Sequence, residues 1–180
     1  MIFALLAAAC QTTTPTDEPR GQAETAPHPE FDRFRPVTIA VLPVTAPTMD
    51  LRRGVRKEVY RLLPTKRYSP FKLETVDAHI TTDGKFDPGS LDWDATLSVD
   101  IDKWRAVGGT QYFEADGSAT LTHKTGEVLW TAKFSRYAFA VREHAGSRDY
   151  DSASQGIAAF LIGTDASGLS FPDCPPPPRE

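Results

Sequence analysis

Nine residues, Pro36–Val44 (PVTIAVLPV), constrain the fold more than any other part of the chain. Five of them are Val, Ile or Thr, whose branched β-carbons favour a pleated strand over a helix. A strand this continuously apolar has no face to offer to water and must be covered on both sides. Pro43 and Pro47 stop it. Asp50 is then a candidate N-cap for a helix running to Leu63, in which Leu51, Val55, Val59 and Leu62 form one apolar stripe. Pro64 ends that helix. Phe71–Val76 (FKLETV) alternates apolar and polar residues and reads as a second strand, which completes a β-α-β unit. Asp77–Ile80 reads as one helical turn before a loop, Thr81–Ser90, with Asp-Gly and Asp-Pro-Gly turn signals.

The next segment alternates more strictly. Ala95, Leu97, Val99 and Ile101 fall on one side of a strand, and Asp94, Thr96, Ser98, Asp100 and Asp102 fall on the other. Gly108-Gly109 turns the chain into a second alternating stretch, Gln111–His123, and Lys124-Thr125-Gly126 into a third, Glu127–Val141. Asp149 precedes an expected closing helix, Ser152–Ile162. The expected fold class is therefore α/β: a single mixed sheet, with a β-α-β start and a three-strand antiparallel meander, and helices packed on it. The globular part is expected over 31–171, followed by a proline-rich tail, 172–180, whose Pro175–Pro178 adopts polyproline II.

At 180 residues, with 40% hydrophobic and 24% charged residues, the chain has the composition of one globular domain. Its longest apolar run is Met1–Ala9 (MIFALLAAA), about 13 Å as a helix, too short to cross a ~30 Å hydrocarbon core. The run ends on small residues at Cys10. Leu6-Ala7-Ala8-Ala9-Cys10 resembles a bacterial lipobox, in which the cysteine thiol takes a diacylglycerol and becomes the new N-terminus. The leader carries no charge between Met1 and Cys10, unlike the basic start of most such leaders. Gln11–Glu30 contains no aromatic residue and no aliphatic larger than Ala, so 10–30 reads as a lipidated cysteine on a disordered tether. Two or more acyl chains give stable membrane residence. Gln11 is not the Asp that commonly retains such proteins at the inner membrane, which favours the periplasmic side of the outer membrane.

Motifs for chemistry are missing. No two histidines among His28, His79, His123 and His144 stand at i,i+4. There is no phosphate-cradling glycine loop, no GxGxxG after a strand and no GxSxG elbow. No catalytic residue, cofactor or metal is expected; the acidic loop around Asp83 and Asp87 lacks the alternating donors and closing Glu of a calcium loop. Charge is instead polarised. Between Asp50 and Arg67 seven basic residues face two acidic ones, a local charge of +5, and between Glu74 and Asp102 eight carboxylates face Lys85 alone, a local charge of −7. Arg52, Arg53, Arg56, Lys57 and Arg61 are the candidate interaction surface, for a protein partner, for self-association or for an anionic headgroup or polymer. The bland alternative is a solvated helix offsetting an acidic loop in the same molecule. The net charge of −4 and the lack of interleaved aromatics argue against nucleic acid. Cys174 has three possible states: an intermolecular disulfide, a disulfide with Cys10 that would exclude lipidation, or an inert free thiol.

In order along the chain, the lipobox and tether, VTIAVLPV, a helix, Leu73-Glu74-Thr75-Val76-Asp77, Asp94–Trp104 (DATLSVDIDKW) and Thr125-Gly126-Glu127-Val128-Leu129-Trp130 follow a known pattern. It resembles that of small bacterial lipoproteins of unknown function related to the N-terminal domain of TolB and to CsgG. The likeness spans about 34–141. It implies a non-enzymatic, lipid-anchored envelope protein acting as a structural or accessory subunit through protein contacts. A periplasmic module that binds a ligand or polymer through the charge-polarised surface is the alternative.

Overall fold

The apolar run behaves as its composition demands: Ile39, Ala40 and Val41 have no exposed surface at all. The computed structural model describes residues 21–107, 112–140, 143–144, 147–148, 150–164 and 168–176. In chain order the elements are β1 (Gln22–Pro27), α1 (Phe31–Phe34), β2 (Thr38–Val41), α2 (Met49–Leu62) with a following 3-10 turn (Leu63–Lys66), β3 (Ser69–Pro70) and α3 (Leu73–Asp77). There follow β4 (Ala95–Ala106), β5 (Tyr112–His123), β6 (Val128–Ala140), the short pair β7 (Glu143–His144) and β8 (Ser147–Arg148), and α4 (Tyr150–Ile162). One mixed six-stranded sheet has the order β1-β6-β5-β4-β2-β3, and the four helices pack on it. β2 runs parallel to β3 and β4; the β4-β5-β6 meander and β1 pair antiparallel. The α/β class, the single mixed sheet and the meander are as expected; a β-α-β unit forms as β2-α2-β3, but it follows β1 and closes on Ser69–Pro70.

Alternation decides the layers. Ala95, Leu97, Val99 and Ile101 of β4 and Ala115, Ala119 and Leu121 of β5 are buried beneath α2 and α4, whereas Thr96, Ser98, Ser118 and Thr120 on the opposite face stay half-buried. The two helices lie close together. A Cβ on Gly54 of α2 would come within 2.9 Å of the Ser154 Cβ on α4, so only glycine permits this approach. Leu51, Val55, Val59 and Leu62 form the expected buried stripe, but the N-cap is Thr48, whose Oγ1 accepts from the Leu51 amide (3.3 Å), and Asp50 sits one position inside the helix.

Three expectations are corrected. Phe71–Val76 is not a strand: β3 ends at Pro70 and the chain turns into α3, which buries Val76. Six residues are too few to separate a period of 2 from one of 3.6, and Leu73 and Val76 also fit helical spacing. The tether expected over 10–30 includes a strand, β1, while 10–20 lies outside the described residues. β1 docks by its backbone onto β6, from Gln22↔Ser135 to Pro27↔Trp130, and so needs no apolar side chains. The described part of the C-terminal tail, 172–176, is not free of the domain either: with 168–171 it is laid against the core. Trp130 Nε1 donates to the Ser170 carbonyl (3.2 Å), the Tyr68 hydroxyl to the Pro172 carbonyl (3.0 Å) and the Cys174 amide to the Lys66 carbonyl (2.9 Å). The turn at Gly108-Gly109, Asp149 and Pro177–Pro178 fall outside the described residues.

An irregularity crosses the sheet. The β4–β5 register slips at Asp102, and on β6 Ser135 and Arg136 both stand opposite Asp116, with Arg136 in the left-handed region at φ 53°. Asp116 holds both slips: its Oδ1 accepts from the Arg136 amide (2.6 Å) and its Oδ2 faces Lys103 (3.4 Å). The Arg136 amide, with the Lys103 charge, keeps this carboxyl below the usual carboxylate range. Aligned β-bulges of this kind twist and bend a sheet.

Candidate interaction surfaces

The helix region divides its cations between the interior and the surface. Arg56 is 11% exposed; its Nε and Nη2 donate to the Val41 carbonyl (3.1 and 3.0 Å) and its Nη1 to Asp77 (2.6 Å). Val41 points its carbonyl toward the side of β2 where β3 has already ended, so Arg56 replaces the missing strand. Arg52 Nε donates to the Ala46 carbonyl (2.6 Å) and Arg61 pairs with the buried Glu58 (2.7 Å). Arg53 and Lys57, four positions apart, are exposed and have no ion pair among the described residues. Of the five expected surface cations, two are thus left free and three are tied to the chain itself. Sequence spacing alone gives no sign of this division, because it depends on where β3 stops.

The acidic stretch is dispersed in the same way. Asp77 meets Arg56, Asp83 pairs with Lys85 (3.0 Å), and Asp87 accepts from the Gly89 amide within its own turn (3.2 Å). Asp94 is the most deeply engaged. Its Oδ2 accepts from the amides of Val37 (3.0 Å) and Thr38 (2.9 Å), and its Oδ1 from Lys124 (3.3 Å). Burial pushes this carboxyl up, but the two amides and the lysine more than offset that, and it stays below the usual carboxylate range. A depressed folded-state value means that the contribution is complete above the unfolded value, about 3.9, and is lost as pH falls through the folded one. Asp94→Ala is therefore expected to cost about 1–3 kcal/mol at pH 7. The gap between variant and parent should narrow in urea titrations run between pH 4 and pH 2. An equal gap at both ends would remove Asp94 from the acid response.

The remaining candidates are placed as follows. Cys10 lies outside the described residues. Cys174 is a free, buried thiol, 5% exposed, and burial pushes its pKa up. Native protein should react with a thiol reagent at pH 8 roughly tenfold or more slower than protein in urea; equal rates would mean the tail is undocked. His28, expected in the tether, stacks edge-on against Phe34 (5.2 Å), which also touches the His123 ring (5.1 Å). Burial and the adjacent Lys124 charge hold His123 below the usual histidine range. Among the described residues no group of three or more His, Cys, Asp or Glu could hold a metal ion, and no helix is long and apolar enough to cross a membrane.

Two shallow clefts lie at the β1–β6 corner. The larger, about 420 Å³, is lined by Glu24, Asp102, Asp116, Ser118 and Lys133 among others. The smaller, about 360 Å³, is lined by Gly21, Gln22, Glu114, Ser135 and Arg136. Gly21 (φ 32°) passes so close to β6 that a Cβ would collide with the Ser135 carbonyl and come within 2.6 Å of the Arg136 backbone. This corner, where the N-terminal segment enters the sheet, was not singled out by the sequence; a glycine just before a strand is its only signal.

Comparison with solved structures places the architecture. The PelC dodecamer from Paraburkholderia phytofirmans matches over 82% of this chain and 95% of its own, at 16% identity and a TM-score of 0.50. A variant PelC dodecamer gives 77% and 93%, 16% identity and a TM-score of 0.51. The fold is similar to that of PelC. The lipoprotein GNA1162 from Neisseria meningitidis aligns over 72% of this chain and 94% of its own, at 16% identity and a TM-score of 0.46. No protein-family model and no curated protein matches the chain. At these identities the PelC likeness speaks for the fold.

Proposed function

We propose that the protein is a lipid-anchored subunit of the bacterial envelope, held through Cys10 at the periplasmic side of the outer membrane, and that it acts without catalysis by contacting protein partners, including further copies of itself. The observation that carries this reading is the sequence Leu6–Cys10 followed by a polar stretch that leads into the sheet only at Gly21. The PelC-like fold adds support, because PelC is a dodecamer. Kinship with the lipoproteins related to TolB and CsgG belongs to the same proposal. Cells fed an alkyne-bearing fatty acid should tag the parent chain, and Cys10→Ala should lose the tag and move to the soluble fraction. A Cys10→Ala chain that stays in the membrane fraction rejects the anchor. Sedimentation of the purified protein tests self-association, and a single monomeric species rejects that part.

The alternative, a periplasmic module recognising an anionic ligand or envelope polymer, draws on Arg53 and Lys57, which remain exposed and unpaired among the described residues. Arg53→Glu with Lys57→Glu should abolish such binding and leave the melting temperature nearly unchanged.

A further inference from the structure

The outer edge of β1 can be read group by group. Among the described residues β1 is the last strand on its side of the sheet, and every residue of Gln22–Pro27 except Thr25 is exposed. The His28 amide donates to the Leu129 carbonyl (2.8 Å), which continues the β1–β6 register one step beyond Pro27↔Trp130. In an antiparallel pair, residues that bond to the neighbouring strand alternate with residues that do not. Counting back from His28, Ala26, Glu24 and Gln22 bond to β6, and Pro27, Thr25 and Ala23 turn their backbone groups outward. Pro27 thus stands where its missing amide costs the sheet nothing, the position a proline takes in an edge strand. Ala23 and Thr25 are left with amides and carbonyls that β6 does not use. Ala23 and Pro27 lie on the helix side of the sheet, opposite Phe134 and Trp130, yet both are exposed. Among the described residues no helix overhangs this edge.

A second copy of the same edge fits it in a single register. Two β1 strands related by a two-fold axis pair antiparallel, and the residue on the axis fixes every other pair. With Glu24 on the axis its carboxylate faces its own copy, and like charges directly opposite are destabilising. With Gln22 or Ala23 there, an outward-facing residue needs Gly21 as its extended partner. Gly21 has φ 32° and is held against Ser135 and Arg136 of β6. With Ala26 or Pro27 there, Thr25 meets Pro27 or Pro29, neither of which has an amide to return. With Thr25 on the axis none of these conflicts arises. The two Thr25 residues then exchange amide and carbonyl bonds, and each Ala23 amide meets the carbonyl of the other copy's Pro27. Glu24 lies opposite Ala26, so no carboxylate stands directly opposite another, and Thr–Thr is a favourable cross-strand pair.

We propose that β1 is a docking edge for a second copy of this chain, paired antiparallel about a two-fold axis at Thr25. This names a surface for the self-association proposed above and rests on that reading. The test uses the purified full chain in four variants, Ala23→Cys, Glu24→Cys, Thr25→Cys and Ala26→Cys. Mild oxidation traps dimers, which are measured on a non-reducing gel. The parent chain, which retains Cys10 and the buried Cys174, sets the background. Thr25→Cys places the two Cα atoms about 5.5 Å apart, within disulfide range. At Glu24 or Ala26 the equivalent Cα atoms are about 8 Å apart, and at Ala23 further still. Thr25→Cys should therefore give about fivefold more dimer than the other three. Chance collision would rank it last, because Thr25 is the least exposed of the four. Thr25→Pro supplies a second measurement, since it removes an outward amide that β6 does not use. Sedimentation should show self-association weakened about tenfold or more, at the urea midpoint of the parent. If Thr25→Pro unfolds, the cysteine scan decides alone. A dimer maximum at another position, no dimer above background, or a Thr25→Pro chain that associates as tightly as the parent overturns the edge pairing and leaves self-association standing. A parent chain that sediments as a monomer overturns both.

Discussion

Phe171→Ala is expected to lower the unfolding free energy by about 3–5 kcal/mol, which is a large part of the about 5–15 kcal/mol that a domain of this size has. Phe171 is 2% exposed and fills the gap between Trp130 (centroids 4.8 Å apart) and Tyr68 (5.6 Å). It sits in the segment 168–176, whose backbone closes the core by receiving the Trp130 indole and Tyr68 hydroxyl protons. Truncating the side chain leaves a cavity and loosens the strap that makes those contacts. A urea midpoint well below that of the parent, with Trp130 emission shifted toward that of exposed indole, would be the result. A change below about 1 kcal/mol would show the strap to be dispensable. Deleting 169–180 should have a larger effect still, because Leu169 also donates its amide to the Phe160 carbonyl at the end of α4 (2.8 Å) and is itself buried.

The second large effect separates two arginines that look alike in sequence. Arg56→Ala should cost about 2–3 kcal/mol, since it removes charge-assisted hydrogen bonds to the Val41 carbonyl and to Asp77 and leaves a carbonyl at the edge of β2 without its donor. Arg53→Ala, on the same helix but exposed, should change stability by no more than about 0.5 kcal/mol. Thermal or urea unfolding of the two variants side by side decides the matter. Equal effects would mean that Arg56 caps nothing. Reversing charge at Arg56 is therefore a poor way to probe binding, because loss of fold would be read as loss of a partner.

How much of this the sequence carries depends on the length of each pattern. The strand centred on Ile39, the stripe Leu51-Val55-Val59-Leu62 and the alternation from Ala95 to Ile101 each extend over enough residues to fix both element and burial. Phe71–Val76 does not: its six residues suit strand and helix alike, and the chain forms α3 there. β1 was missed for another reason: a sheet edge is held by amides and carbonyls that every residue has, so QAETAP leaves no trace in a hydrophobicity pattern. The docked tail was hidden by its prolines, which suggest an extended segment without saying what it lies against. The candidate surface was legible as a charge imbalance, whereas the division between structural Arg56 and free Arg53 was not. That distinction needs the point at which β3 ends.

The two borders of the sheet are unlike, and this limits how copies can join by strand pairing. At one border β3 has two residues, one of them proline, and beyond it the Arg56 guanidinium already occupies the next carbonyl of β2. A strand that continued the line of β3 along β2 would have to displace that charged side chain. The other border is β1, six residues long and largely exposed. A polymer that grows by adding strands needs two open borders per copy. Among the described residues this sheet offers one long open border, so strand pairing at that border joins two chains and does not propagate.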